Sequence, residues 1–221
     1  MYLRDIMTTD VITLPSNTPI LDAKKIMEAH KLQRIPVVNR GKLVGIITKR
    51  SLEKIAPPEP NPRDLLEFSY NIARLYRTPI RDIMQKDVVT ATPDMTAEQA
   101  VWLAQQKKVG ALVVVEDKQV VGIATTNDFF YKILNRILGI DEPGTRLEIL
   151  GGGEGKPLEE IIHCLNEADQ TITTLHIYKQ RGRAKKNLVI HLDSQDVEQC
   201  MAELKNKGYK VIVRVRNVEP L

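Results

Sequence analysis

The chain repeats itself, and no other feature constrains its fold as much. Arg4-Asp5-Ile6-Met7 recurs as Arg81-Asp82-Ile83-Met84, Asp10-Val11-Ile12-Thr13 as Asp87-Val88-Val89-Thr90, and Val44-Gly45-Ile46-Ile47-Thr48 as Val121-Gly122-Ile123-Ala124-Thr125. All three matches share one offset and need no gap. A duplicated unit of this length sets the architecture before any local propensity is weighed.

Each copy reads as β, α, β, β, α. A short β-like stretch, Val11 to Leu14 or Val88 to Ala91, leads through Pro15 or Pro93 to a helix. Thr18-Pro19 opens one helix and Asp94 with Thr96 the other, residue types suited to a first turn. The helices are predicted over Ile20 to His30 and Ala97 to Lys107. Two β runs follow, Ile35 to Val38 with Leu43 to Thr48, and Ala111 to Val115 with Val120 to Thr125, joined by polar turns at Asn39-Arg40-Gly41 and Glu116-Asp117-Lys118. A last helix closes each copy, from Lys49 and from Thr126. Between the copies, Pro57-Pro58-Glu59-Pro60-Asn61-Pro62 holds neither a helix nor a central strand and reads as a stiff connector. Leu65, Leu66, Ile72, Ala73 and Tyr76 then fall at the spacing of an amphipathic linker helix over 63–76.

From Arg146 the order changes to β, α, β, β, α, β. The elements are Arg146 to Leu150, Leu158 to Ala168, Thr171 to Tyr178, Leu188 to His191, Asp196 to Lys207 and Lys210 to Val215, with Gly208 stopping the second helix. This is the ferredoxin-like split βαβ arrangement. The fold class is therefore α/β and α+β, divided as 1–56 (first copy), 57–77 (connector and linker helix), 78–138 (second copy), 139–145 (linker) and 146–221.

The ending of each repeat carries the most chemistry. A strand running into a helix N-terminus presents free backbone N–H groups and a positive dipole end, which favour an anion such as phosphate. Thr125 adds a hydroxyl, and Asp128 lies where it is able to accept hydrogen bonds from vicinal ribose hydroxyls. Taken in isolation, these residues are better explained by helix capping through Thr125, Thr126 or Asp128.

Four features together, the Asp-Ile-Met opening, the β-Thr-Pro segment, the apolar-Pro-Val-Val strand at 35–38 and the Gly-apolar-x-Thr-x-x-Asp ending, resemble paired CBS domains, a Bateman module. The resemblance covers about residues 1–138 and implies that each cleft between the repeats joins the ribose-binding end of one copy to the adenine pocket of the other. Carried over, Thr125, Asn127 and Asp128 face Val11, Ile12, Leu32, Gln33, Arg34, Ile35 and Pro36, with Arg34 gripping phosphate. The second cleft uses Thr48, Lys49 and Ser51 against Val88, Val89, Val109, Gly110, Ala111 and Leu112. Here Ser51 stands where the ribose aspartate belongs and Ala111 where Arg34 sits in the other copy, so this cleft is expected to be weak or empty.

The C-terminal unit resembles an ACT domain by topology, and the whole layout is similar to acetoin-utilisation AcuB-type proteins. That resemblance implies dimerisation or a second small ligand, bound at the loop Gly151-Gly152-Gly153-Glu154-Gly155-Lys156-Pro157. The loop is not a phosphate-binding P-loop: three residues, not four, separate Gly151 from Gly155, and Pro157 replaces the magnesium-binding hydroxyl. A flexible turn is the favoured reading of the loop, with amino-acid-like ligand binding through its backbone N–H groups as the alternative.

Composition excludes several classes. No apolar run approaches the roughly 20 residues of a membrane span, and Met1 to Met7 lack a secretory pattern, so a cytoplasmic protein is expected. Cys164 and Cys200 stand far apart and read as buried thiols, with no metal site. The net charge of +4 comes from 32 basic residues interleaved with 28 acidic ones. The one dense basic cluster, Lys179 to Lys186 with Arg181, Arg183 and Lys185, has no interleaved aromatics and argues for a hairpin tip over a nucleic-acid contact. His30, His163, His176 and His191 show no catalytic or metal-ligating spacing. The expected function is that of a non-catalytic regulatory sensor, not an enzyme, that binds AMP, ADP or ATP, forms a homodimer and acts on an unidentified protein target. A structural dimerisation adaptor with vestigial clefts is the alternative.

Overall fold

The computed structural model describes residues 1–55, 73, 75–140, 142–182 and 184–216. The Pro-rich connector, most of the expected linker helix, Asp141 and Arg183 lie outside the described residues. The chain forms two compact units, Met1–Lys132 and Ile133–Leu221.

The first unit holds both repeats. The first copy runs β1 (Leu14–Pro15), α1 (Ile20–Ala29), β2 (Arg34–Asn39), β3 (Lys42–Thr48) and α2 (Lys49–Glu53). The second runs β4 (Thr90–Ala91), α3 (Ala97–Lys107), β5 (Ala111–Glu116), β6 (Gln119–Thr125) and α4 (Thr126–Asp128), which passes into a π-helical turn over Phe129–Leu134. The strands form one sheet in the order β1-β2-β3-β6-β5-β4. β3 and β6 meet through the pair Lys42 and Gln119. Both hairpins shift register at the equivalent place, between Val37 and Val38 and between Val114 and Val115.

The repeated motifs have a packing reason. The leading segment of each copy is paired with the other copy: Thr8 bridges Ile123 through hydrogen bonds of 2.9 and 3.0 Å, and Gln85 bridges Ile46 through two of 2.9 Å. A Cβ on Gly45 would stand 2.9 Å from Met84 Cγ and 3.0 Å from the Gln85 carbonyl oxygen, and one on Gly122 would stand 3.0 Å from Met7 Cγ. The methionine of each Asp-Ile-Met opening therefore occupies the space that a glycine leaves in the opposite copy.

Apolar residues from both layers close the first core, with Ile20, Ala23 and Met27 of α1 packed against Ile35, Val37 and Ile47. Leu75, at the described end of the expected linker helix, is buried in the same cluster. α3 starts from Thr96, whose side chain accepts from the Gln99 N–H while Gln99 accepts from the Thr96 N–H, a capping box.

The second unit runs α5 (Asn135–Leu138), β7 (Gly144–Ile149), α6 (Gly155–Glu167), β8 (Ile172–Lys179), β9 (Lys186–Leu192), α7 (Glu198–Asn206) and β10 (Val211–Arg216). The sheet is antiparallel, in the order β10-β7-β9-β8. Leu147, Ile149, Leu188 and Ile190 pack against Ile161, Leu165, Met201 and Leu204 of the helices. Cys164 and Cys200 are free and buried, with burial, the largest cause, pushing both thiols up. Lys179 and Lys186, which bound the basic cluster, pair at the end of the β8–β9 hairpin.

Candidate functional site

A cavity of about 320 Å³ opens within the repeat unit. Thr48 at the head of α2 lies on its wall with Val88, Val89, Val109, Gly110 and Ala111 of the second copy. These are residues expected to share the Ser51-side cleft. The same wall includes Ile46, Arg50, Gln85, Asp87 and Lys108, which sequence reasoning left out. The repeat offset relates Arg50 to Asn127, a residue already singled out, so that signal was available in the sequence.

Arg34 corrects the expected arrangement. It was assigned to the Asp128 cleft, yet it lines this cavity. A Cβ on Gly110 would stand 2.5 Å from Arg34 Nη2, so the guanidinium lies across the glycine. The register explains this. Arg34 is the β2 partner of Thr48 on β3, which brings it to the Ser51 end of the sheet. Ala111 brings no charge to this cleft, but Arg34 of the first copy lines the same wall. Lys49 itself is turned to its own repeat: its N–H donates to the Gln33 carbonyl at 2.9 Å and its ammonium pairs with Glu53. Ser51 stays in its own turn, donating to the Thr48 carbonyl at 2.8 Å and capping α2 with Thr48.

Asp128 has different neighbours from those expected. Its carboxylate accepts from the Thr125 N–H at 2.8 Å, from Thr125 Oγ1 at 2.7 Å and from Thr8 Oγ1 at 3.5 Å. Lys132 Nζ lies 2.8 Å from Oδ1 and also donates to the Ile6 carbonyl at 2.8 Å. Burial by itself would raise the Asp128 pKa, but the Lys132 ammonium and the Thr125 donors outweigh it and hold the carboxyl below its ordinary value. Asp128 thus serves as helix cap and ion-pair partner, and the first-copy residues that reach it are Ile6, through Lys132, and Thr8. Asn127 is exposed, and Val11 and Ile12 are half-buried. Lys132 stands four residues after Asp128 on the helical turn, a spacing legible in the sequence.

Two other expected contacts are corrected. Ile35 and Leu112 are fully buried, so their side chains belong to the cores and are closed to a ligand; Pro36 is buried beside Ile35, while Leu32 and Gln33 remain nearer the surface. In the second unit, the glycine loop has little left to offer. The Gly151 N–H donates to Asn187 Oδ1 at 3.1 Å, that of Gly153 to the Lys186 carbonyl at 3.0 Å, and that of Gly152 to the Ile149 carbonyl at 3.4 Å. At Gly155, the start of α6, a Cβ would meet nothing within 4 Å.

Among the described residues, no three His, Cys, Asp or Glu side chains gather in a way that would hold a metal, and no helix is long and apolar enough to cross a membrane.

The family model for the CBS domain matches residues 3–56 and 80–135. The CBS domain-containing protein YhcV of Bacillus subtilis is 29% identical over 126 residues, covering 57% of this chain and 81% of that protein. An inosine-5'-monophosphate dehydrogenase of Korarchaeum cryptofilum is 30% identical over 136 residues, covering 61% of this chain and 25% of the enzyme. Among solved structures, a Vibrio cholerae protein named for acetoin utilization (AcuB) is similar with a TM-score of 0.51 and 28% identity, covering 65% of this chain and 98% of that one.

Proposed function

The chain belongs to the CBS-domain family, with its repeats forming a tandem pair, and from that premise we propose that it is a non-catalytic regulatory module binding an adenine nucleotide between them. The observation that carries this reading is the cavity on the Ser51 side. Ile46, Val88, Val89, Val109 and Ala111 supply apolar wall for a flat heterocycle, Thr48 a hydroxyl, and Arg34 a guanidinium for phosphate. This cleft, and not the Asp128 side, is the first nucleotide site. At Asp128 a ribose would have to displace Lys132 or Thr8 from a carboxylate that already accepts from several donors.

Calorimetric titration of the full chain with AMP, ADP, ATP and adenosine tests the reading. Saturable nucleotide binding is expected. Arg34→Ala should weaken it about 10- to 100-fold, the worth of a charge-assisted hydrogen-bond pair of roughly 1.5–3 kcal/mol. Silence from all four ligands would leave the clefts vestigial and favour a structural adaptor.

For the C-terminal unit, the βαββαβ order and antiparallel sheet support a ferredoxin-like, ACT-like domain. Its proposed role is dimerisation more than ligand sensing, because the N–H groups of Gly151, Gly152 and Gly153 are already used. Strand β8 forms an edge of the described sheet and leaves Leu175 and Ile177 exposed. Light scattering on wild type and Ile177→Lys tests this: a dimer that the lysine splits is the expected outcome, and a wild-type monomer removes the role.

A further inference from the structure

Three cations share the Ser51-side cavity, and their number says more about the ligand than the cavity's shape. Arg34 comes from β2, Arg50 from the second residue of α2, and Lys108 from the left-handed position that ends α3. Asp87 is the single carboxylate on the same wall. Among the described residues none of the three cations has an ion-pair partner, whereas Lys49, next to Arg50, pairs with Glu53. Arg34 is half-buried while Arg50 and Lys108 are exposed, so the cations keep their reach into the cavity, and the repulsion between like charges on one wall is relieved when an anion enters.

We propose that this cavity selects adenine nucleotides carrying two or three phosphates over the monophosphate, and over adenosyl ligands with no phosphate. The inference rests on the nucleotide reading above and deepens it. A guanidinium in reach of a phosphate forms paired, charge-assisted hydrogen bonds, and a lysine ammonium acts as a point charge. A monophosphate dianion engages part of this set and leaves the remaining cations uncompensated. A di- or triphosphate chain spans it, with its charge matched to Arg34, Arg50 and Lys108 together. A cationic adenosyl sulfonium meets three like charges there and the single Asp87 carboxylate. Gly110 belongs to the device, since any side chain at that position enters the space the Arg34 guanidinium occupies.

The test is calorimetry on the full chain in magnesium-free buffer at two ionic strengths, with ATP, ADP, AMP, adenosine, S-adenosylmethionine and inorganic triphosphate. Affinity should rise about tenfold from AMP to ADP, hold or rise again to ATP, and fall steeply with salt for the polyphosphates only. S-adenosylmethionine should bind weakest of the adenosyl ligands. Arg50→Gln with Lys108→Gln should close the gap between AMP and the polyphosphates. Gly110→Ala should weaken ADP and ATP at least tenfold, with circular dichroism confirming the fold. AMP binding as tightly as ADP and ATP would overturn the proposal and leave the nucleotide reading intact. Inorganic triphosphate matching ATP, with adenosine silent, would support the cation set but overturn the adenine reading. Were the variants to unfold, the wild-type salt dependence would still decide, and its absence for ATP would refute the proposal.

Discussion

Asp128 shows how a single residue changes meaning once its surroundings are known. In the sequence it is an acidic group three positions after a threonine, a helix cap taken alone and a ribose acceptor once the family resemblance is added. In the structure it caps its own turn, pairs with Lys132 and reaches Thr8 of the first copy. Because its folded-state pKa is depressed, the unfolded chain binds its proton more tightly. The stabilisation is present at neutral pH, above the ordinary value of 3.8, and is lost as the pH falls through the folded-state value. Asp128→Asn should therefore lower the melting temperature at pH 7 and lower it much less at acid pH. Thermal melts across that range check this, and parallel curves for the two proteins would contradict it. Arg34 makes the opposite point. The sequence identified its chemistry, but only the β2–β3 register gave the cleft it serves.

At the scale of elements, periodicity was a good guide where a face is buried. α3 occupies 97–107 as read, and α1 stops one residue short of the reading. The first strands are shorter than read, Leu14–Pro15 and Thr90–Ala91, since Val11 and Val88 are drawn into tight turns by hydrogen bonds to the Thr9 and Lys86 carbonyls. The passage from α4 into a π-helical turn left no trace in the apolar spacing. The glycine and methionine motifs were visible as repeats, but their reciprocal contact was not, because the partners lie in different copies. That contact predicts the effect of Gly45→Ala. The new Cβ meets a flexible thioether and a fixed Gln85 carbonyl, and overpacking of this kind costs about 1–3 kcal/mol. Urea denaturation should show the loss, and adding Met84→Ala should not restore it fully, since the carbonyl remains. Full recovery would mean that the side chain alone sets the limit.

For the whole molecule, regulation requires that a nucleotide in the repeat unit bias something outside it. Hydrogen exchange on the full chain, with and without ATP, measures this. The expected outcome is slowed exchange at 108–111 and around 48–50, together with a change in the C-terminal unit. Protection confined to the repeats would support binding without signalling and contradict the regulatory role.

The duplication, the order of elements in both units and the residue types available to hold an anion are written in the chain. These are local properties: periodicity, turn residues and self-similarity survive in one dimension. The tertiary structure decided which of those residues meet. The exchange of leading segments, the placing of Arg34 across Gly110, the engagement of Asp128 by Thr8, and the use of the Gly151 and Gly153 N–H groups by the β9 strand all depend on pairings between distant residues. Such pairings are set by strand register and by competition for hydrogen-bond partners, which a motif read along the chain does not contain.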